Sequence, residues 1–423
     1  MRFEILLLLF APTTSSPTLH ETLASARAAF EASPSSPSAA LSLANALTDI
    51  RNFTAAAAVR EGLLRGGGPS TPSSWAALAH DLRHARRYPE ALHAVHEAQR
   101  AAGDGDALLL ATLLEFEAEL LACVGHRRSL EALRVFARAV KARRGAPPGA
   151  QGGGGGGAPS ALLELSLLDR VLHVSSGVPA EVARGLAARR ASVVARMVGG
   201  GPWRSEAQLP AHFNPRLRSA PWWDDDGGRA EARAALVAAA PALRAEFAVL
   251  RDGHRLEPET ECIAEPRAGA GGGGDGDGGW RVFTAQGPWH EARDANRCAA
   301  ALAPTACALT ARLLELGLPV QRVGYSALAP GAVLRPHYGP TNAALKFHLG
   351  LFVPVDGAGV GCAAITVGGE TRRWARDGVL SFDDSFLHNV SYAEGCGRGE
   401  ERVVFQVVFL HPQLPEEPDH REL

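Results

Sequence analysis

At 423 residues the chain is long enough for two or three domains, and 46% hydrophobic residues provide ample material for packed cores. A net charge of −2 and a pI near 6.7 give no basis for nucleic acid or an anionic membrane surface as the main partner. The apolar run at residues 5–11 is far too short to span a bilayer, so any membrane association would have to come without a full transmembrane helix.

Residues 1–16 join Arg2 to that apolar run and read as a candidate secretory signal. The ending His420-Arg421-Glu422-Leu423 is similar to retention tetrapeptides of the endoplasmic reticulum, with Arg at the usual acidic position. Both ends point to the endoplasmic reticulum lumen or secretory pathway; the cytoplasm is the alternative. Residues 17–146 predict helices with an internal repeat. Segment 41–47 aligns with 76–82, Phe53 with Tyr88 and Ala56 with Ala91. The offset approaches the tetratricopeptide period of about 34 residues. A degenerate third unit is expected over 107–141, and an Ala-rich helical bundle is the competing reading.

A Gly-rich linker follows at 147–158, then a helical connector at 159–204. The second part spans 205–415, with a Gly/Asp-rich insertion at 268–279 and a tail at 416–423. Neither Gly run joins a strand to a helix start, so neither is a phosphate loop. From residue 320 the hydrophobic period shortens. Runs at 322–327, 333–337, 345–353, 363–367, 379–382 and 403–410 predict short strands separated by Gly and Pro. The expected fold class is thus two-part: all-α repeats, then an all-β double-stranded β-helix (jelly roll) with flanking helices. The six cysteines include no Cys-x-x-Cys, which disfavours a zinc ribbon or a thioredoxin motif.

Two histidines carry the chemical signal. His337 lies in Arg335-Pro336-His337-Tyr338-Gly339-Pro340-Thr341-Asn342, and His388 in Phe382-Asp383-Asp384-Ser385-Phe386-Leu387-His388. Fifteen histidines make a distant pair uninformative alone; a hydrogen-bonded structural histidine is the commoner case. Arg402 then opens the last apolar run. A histidine on an early strand, one on a late strand and a cation on the next strand form the layout of non-haem iron oxygenases that use 2-oxoglutarate. Fe(II) takes imidazole ligands and keeps open positions for a 2-oxo acid and O2. The distal carboxylate of that acid suits the planar fork of an arginine.

The words around these residues, with Leu345-Lys346-Phe347-His348-Leu349-Gly350-Leu351, Pro221-Trp222-Trp223, Gly361-Cys362 and His411-Pro412, resemble the aspartyl/asparaginyl β-hydroxylase family over roughly 205–415. The resemblance implies Fe(II) held by His337 and His388 alone, with Gly339 where related oxygenases place a carboxylate ligand. A water would fill that place, with Asp384 behind it; a polar turn is the alternative reading of Asp384. It also implies that Ser326 and Arg402 bind the distal carboxylate of 2-oxoglutarate, with His348 and Lys346 near the other end. A short-loop disulfide in this region would join Cys298 and Cys307.

Two departures bear on substrate. Lys346 stands where the animal enzymes have Arg, and Ala344 where they have a second Arg thought to grip an acidic acceptor. The expectation is hydroxylation of a peptidyl side chain, on Asp or Asn by resemblance, with a neutral or differently anchored acceptor favoured by Ala344. A lipid acyl chain as acceptor and a non-catalytic repeat adaptor are the alternatives.

Overall fold

The computed structural model describes residues 19–50, 52–103, 105–124, 128–144, 157–173, 179–201, 203–224, 229–259, 263–264, 279–287 and 298–414. The candidate signal at 1–16 and the tail at 416–423 lie outside them, as do 147–156 of the Gly-rich linker and 268–278 of the insertion. The chain divides into two compact units between Ala101 and Ala102.

The first unit is helical: α1 (Leu19–Ala32), α2 (Pro37–Asp49), α3 (Phe53–Arg65), α4 (Pro72–His84) and α5 (Tyr88–Ala102). Its helix starts are written locally. Ser36, Asn52 and Thr71 each accept a backbone N–H of the first turn, and proline occupies the start of α2 and α4, where no N–H is needed. The second hairpin begins 35 residues after the first at both helices, Pro37 to Pro72 and Phe53 to Tyr88. Buried alanines such as Ala44, Ala56, Ala79 and Ala91 let the helices approach closely. One polar network crosses this interior. Arg60 donates to Asp81 at 2.7 Å and to Asn45 at 2.8 Å, and Thr48 donates to Asp81 at 3.0 Å.

The second unit opens with α6 (Ala107–Val124), α7 (Ser129–Arg144), α8 (Gly157–His173) and α9 (Ala180–Gly200). Then come α10 (Ala230–Asp252), β1 (Glu257–Pro258), β2 (Trp280–Gln286), α11 (Pro304–Glu315), β3 (Val320–Leu328), β4 (Val333–His337) and β5 (Ala344–Phe352). The chain closes with β6 (Ala363–Val367), β7 (Glu370–Arg373), β8 (Val379–Phe382), β9 (His388–Tyr392) and β10 (Arg402–Leu410). The strands form two antiparallel sheets, ordered β1-β2-β3-β10-β5-β8 and β4-β9-β6-β7.

Alternation along the strands gives the larger sheet two different faces. Val323 and Tyr325 of β3, Phe347 and Leu349 of β5, and Phe405 and Val407 of β10 pack with Leu236, Leu243 and Phe247 of α10 and Leu309 of α11. The Glu246 carboxylate pins this layer: it accepts from the Tyr325 hydroxyl at 2.6 Å and from the Ala306 amide at the start of α11 at 3.1 Å. The opposite face meets the smaller sheet through Leu328, Phe382 and Val404 on one side and Leu334, Ile365, Val367 and Val390 on the other. The candidate residues Ser326, Lys346, His348 and Arg402 stand on this inner face, opposite the smaller sheet that carries His337 and His388. A third apolar cluster joins Leu165 and Leu168 of α8 and Val193 and Met197 of α9 to Trp203 and Leu209, with Tyr338 against it. The connector helices are thereby fixed beside the end of β4.

Candidate metal and co-substrate site

His337 ends β4 and His388 begins β9, and the two residues are direct partners in the antiparallel register. Their imidazoles lie 4.0 Å apart between centroids. Each Nδ1 faces a backbone oxygen two residues earlier: Arg335 O at 2.6 Å for His337 and Phe386 O at 2.9 Å for His388. A carbonyl can only accept, so Nδ1 carries the proton and Nε2 keeps its lone pair, the form a metal ligand needs. Burial pushes His337 down to about 4 and His388 down to about 3, so both rings are neutral at pH 7.

The neighbouring glycine has a physical cause. The Gly339 amide donates to Asp384 O at 2.7 Å, and a Cβ at 339 would come within 2.5 Å of the Asp384 carboxyl. Asp384 therefore fills the space in which a side chain of residue 339 would reach the two imidazoles. Asp384 is 4% exposed, and its carboxylate pairs with Lys346 Nζ at 2.6 Å. Burial opposes its ionisation, the Lys346 ammonium favours it, and the carboxyl is held below its ordinary range. Among the described residues no group of three or more His, Cys, Asp or Glu side chains is disposed to share a metal.

Deeper on the same face lie His348 (6% exposed), Ser326 (1%) and Arg402 (2%). Val404 faces both Ser326 and Gly350 in register, so these strands bring Arg402, Ser326 and His348 onto one surface. Neither ring nitrogen of His348 and not the Nε of Arg402 has a hydrogen-bond partner. Burial drives His348 well below its ordinary value, with Lys346 and Arg402 adding to the effect, and draws Arg402 down to about 9, where it remains charged. Ser326 Oγ accepts from Trp280 Nε1 at 3.0 Å, which leaves its own proton to donate. A buried cation and buried donors without an anion are costly. A ligand with carboxylates at both ends satisfies them, so the donor set fits a 2-oxo diacid beside a two-histidine metal.

The structure thus brings His337, His388, Asp384 and Lys346 together and sets Ser326, His348 and Arg402 on the adjoining face. Cys298 and Cys307 form a disulfide with Cα atoms 5.6 Å apart. Three features escaped the sequence reading. Trp374, 3% exposed, lies parallel to His348 at 17° and beneath the Arg402 guanidinium at 4.6 Å; its only sequence signal is a lone aromatic after a polar strand. A second disulfide joins Cys362 to Cys396, tying the start of β6 to the turn that leads into β10 and Arg402. A cleft against His337 is walled partly by Ser166, Asp169 and Arg170 of α8, so the connector contributes to the surroundings of the site.

The family profile described as aspartyl/asparaginyl beta-hydroxylase matches residues 238–412. The aspartyl/asparaginyl beta-hydroxylase of Mus musculus is 33% identical over 202 residues, 47% of this chain and 24% of the relative. Aspartate beta-hydroxylase domain-containing protein 2 of Rattus norvegicus is 47% identical over 89 residues, 21% of this chain and 24% of the relative. Aspartate beta-hydroxylase domain-containing protein 1 of Homo sapiens is 45% identical over 91 residues, 22% of each chain. The matched stretches span about a quarter of the length of these relatives. Residues 238–412 thus carry a domain of the aspartyl/asparaginyl beta-hydroxylase family.

Proposed function

We propose that the chain is an Fe(II)- and 2-oxoglutarate-dependent dioxygenase that hydroxylates a peptidyl side chain. The observation that carries this reading is the register pairing of His337 with His388, each with its Nδ1 bound to backbone, beside the orphaned donors of His348 and Arg402. His337 and His388 would hold the metal through Nε2. When bound, Fe(II) couples the decarboxylation of 2-oxoglutarate to succinate and CO2 with transfer of one oxygen atom of O2 into a C–H bond. Arg402 and Ser326 bind the distal carboxylate, one as a charged fork and one as a hydroxyl donor. His348 offers a neutral N–H to the proximal end. Lys346 keeps Asp384 ionised, and Asp384 accepts hydrogen bonds from water beside the histidines. Trp374 and Phe382 exclude bulk water from this end.

Two antiparallel sheets packed face to face support the double-stranded β-helix, and the 35-residue offset between helix hairpins supports tetratricopeptide-like repeats that present a protein substrate. Disulfides at Cys298–Cys307 and Cys362–Cys396 support an oxidising compartment, such as the lumen of the endoplasmic reticulum. No helix among the described residues is long and apolar enough to cross a membrane. The test is incubation with Fe(II), 2-oxoglutarate, O2 and peptide pools, with mass spectrometry of peptide and of succinate. Gain of one oxygen atom on a peptide, matched by succinate, is expected. Oxygen gained only by acyl lipids would move the acceptor to a lipid, and no succinate under any condition would exclude the enzyme.

A further inference from the structure

Arg322 is a third cation on the inner face of the larger sheet, beside Lys346 and Arg402, and has no role in the site described above. Its neighbours in alternation, Val323 and Tyr325, point into the helix-side core, which puts Arg322 on the same face as Gly324 and Ser326. In register it pairs with Val408, and Val408 pairs with Lys346. Arg322, Val408 and Lys346 therefore form one row across β3, β10 and β5, with Arg322 and Lys346 two strand spacings apart, about 9.6 Å between backbones. The positive charge of Arg322 is among those that act on the His348 imidazole, in keeping with this placement.

Burial shows which end of the face is open. Along β3 it deepens from half-buried Arg322 to Ser326 at 1% exposure; along β5 it deepens from half-buried Ala344 and Lys346 to His348 at 6%. A molecule approaching the histidines passes the Arg322 row before the 2-oxoglutarate donors. At that row Lys346 is already paired with Asp384, and Ala344 carries no charge. Arg322 makes no hydrogen bond or ion pair among the described residues. A half-buried guanidinium with no anion is suited to a carboxylate, which its planar fork can bind through two parallel hydrogen bonds.

We propose that Arg322 is the substrate-binding residue that selects an acidic acceptor side chain, holding it from β3 rather than from β5. The proposal rests on the reading of the site as a peptide hydroxylase and, of the two acceptors expected from Ala344, takes the differently anchored one over the neutral one. The cation at the mouth has changed strand, not disappeared.

The test uses two degenerate peptide pools, identical except for a central Asp or a central Asn, applied to the immobilised full chain without added iron. Retention is read by mass spectrometry. Wild type should retain the Asp pool over the Asn pool by roughly tenfold or more, the range of one charge-assisted contact. Arg322→Ala should abolish that preference, Arg322→Lys should keep part of it, and Arg322→Ala with Ala344→Arg should restore it. Wild type that does not discriminate between the pools, or an Arg322→Ala variant with the wild-type preference, overturns the proposal. The restored preference in the double variant separates loss of the anchor from loss of the fold. Succinate formation by iron-loaded wild type without peptide tests the reading of the site on its own, so the two failures are distinguishable.

Discussion

Position 339 has no room for a side chain, and that single exclusion shapes the site. The Asp384 carboxyl stands 2.5 Å from where a Cβ would be, so the site is limited to two imidazoles by packing as well as by residue type. The acid beside it behaves differently. Asp383 is fully buried, accepts from the Ser385 amide at 2.9 Å and from Gln208 Nε2 at 3.2 Å, and is pushed by burial up to about 7. An unfolded aspartate titrates near 3.9. Between these values the folded chain holds a proton that the unfolded chain has released. The stabilisation is therefore complete below about pH 3.9 and is lost as pH rises through about 7. Asp383→Asn keeps the neutral form, with a flip of the Gln208 amide. Its melting temperature relative to wild type should rise between about pH 5 and pH 8, and equal shifts at both would contradict the assignment. At Arg402 the issue is a ligand. Arg402→Ala should raise the 2-oxoglutarate concentration for half-maximal turnover by roughly ten- to a hundredfold, the value of a buried charge-assisted contact. An unmoved requirement would place the distal carboxylate on another cation.

Elements are held together by polar contacts that composition does not reveal. In the helical unit, Asp81 of α4 is 0% exposed and is reached by Arg60 of α3 and Thr48 of α2, so three helices share one carboxylate. Removing Arg60 strands a buried charge. Arg60→Ala should cost about 3–5 kcal/mol of stability, whereas removing both charges with apolar residues of matching volume should cost far less. Chemical denaturation of the isolated variants reads this, and a loss within about 0.5 kcal/mol, as for an ordinary surface substitution, would contradict it. In the sheet unit, strand alternation does the comparable work. It divides β3, β5 and β10 into one face that packs on α10 and α11 and one that carries Arg322, Ser326, Lys346, His348 and Arg402. A shift of one residue in any of the three would bury these cations under the helices.

Across the whole molecule, the parts legible in sequence were those set by local pattern. The runs at 333–337, 363–367 and 379–382 became β4, β6 and β8 with the same bounds, and helix caps such as Ser36 and Thr71 mark starts within the predicted helical region. Strands β1, β2, β7 and β9 were not among the predicted runs, although His388 was expected on a late strand. Glu370–Arg373 is a polar edge strand without an apolar alternation, and Glu257–Pro258 is too short to show a period. The histidines were legible through the words around them. Arg322, Trp374 and the Cys362–Cys396 bridge were not, because each depends on which strands become neighbours, and pairing across β3, β10 and β5 is non-local. The central claim is that His337 and His388 alone hold a catalytic iron, and the most direct measurement is succinate formation from 2-oxoglutarate by purified, folded wild type, His337→Ala and His388→Ala after anaerobic loading with Fe(II). The account predicts turnover in wild type and its loss in both variants, since no third ligand among the described residues can compensate; undiminished succinate formation in either variant would contradict it.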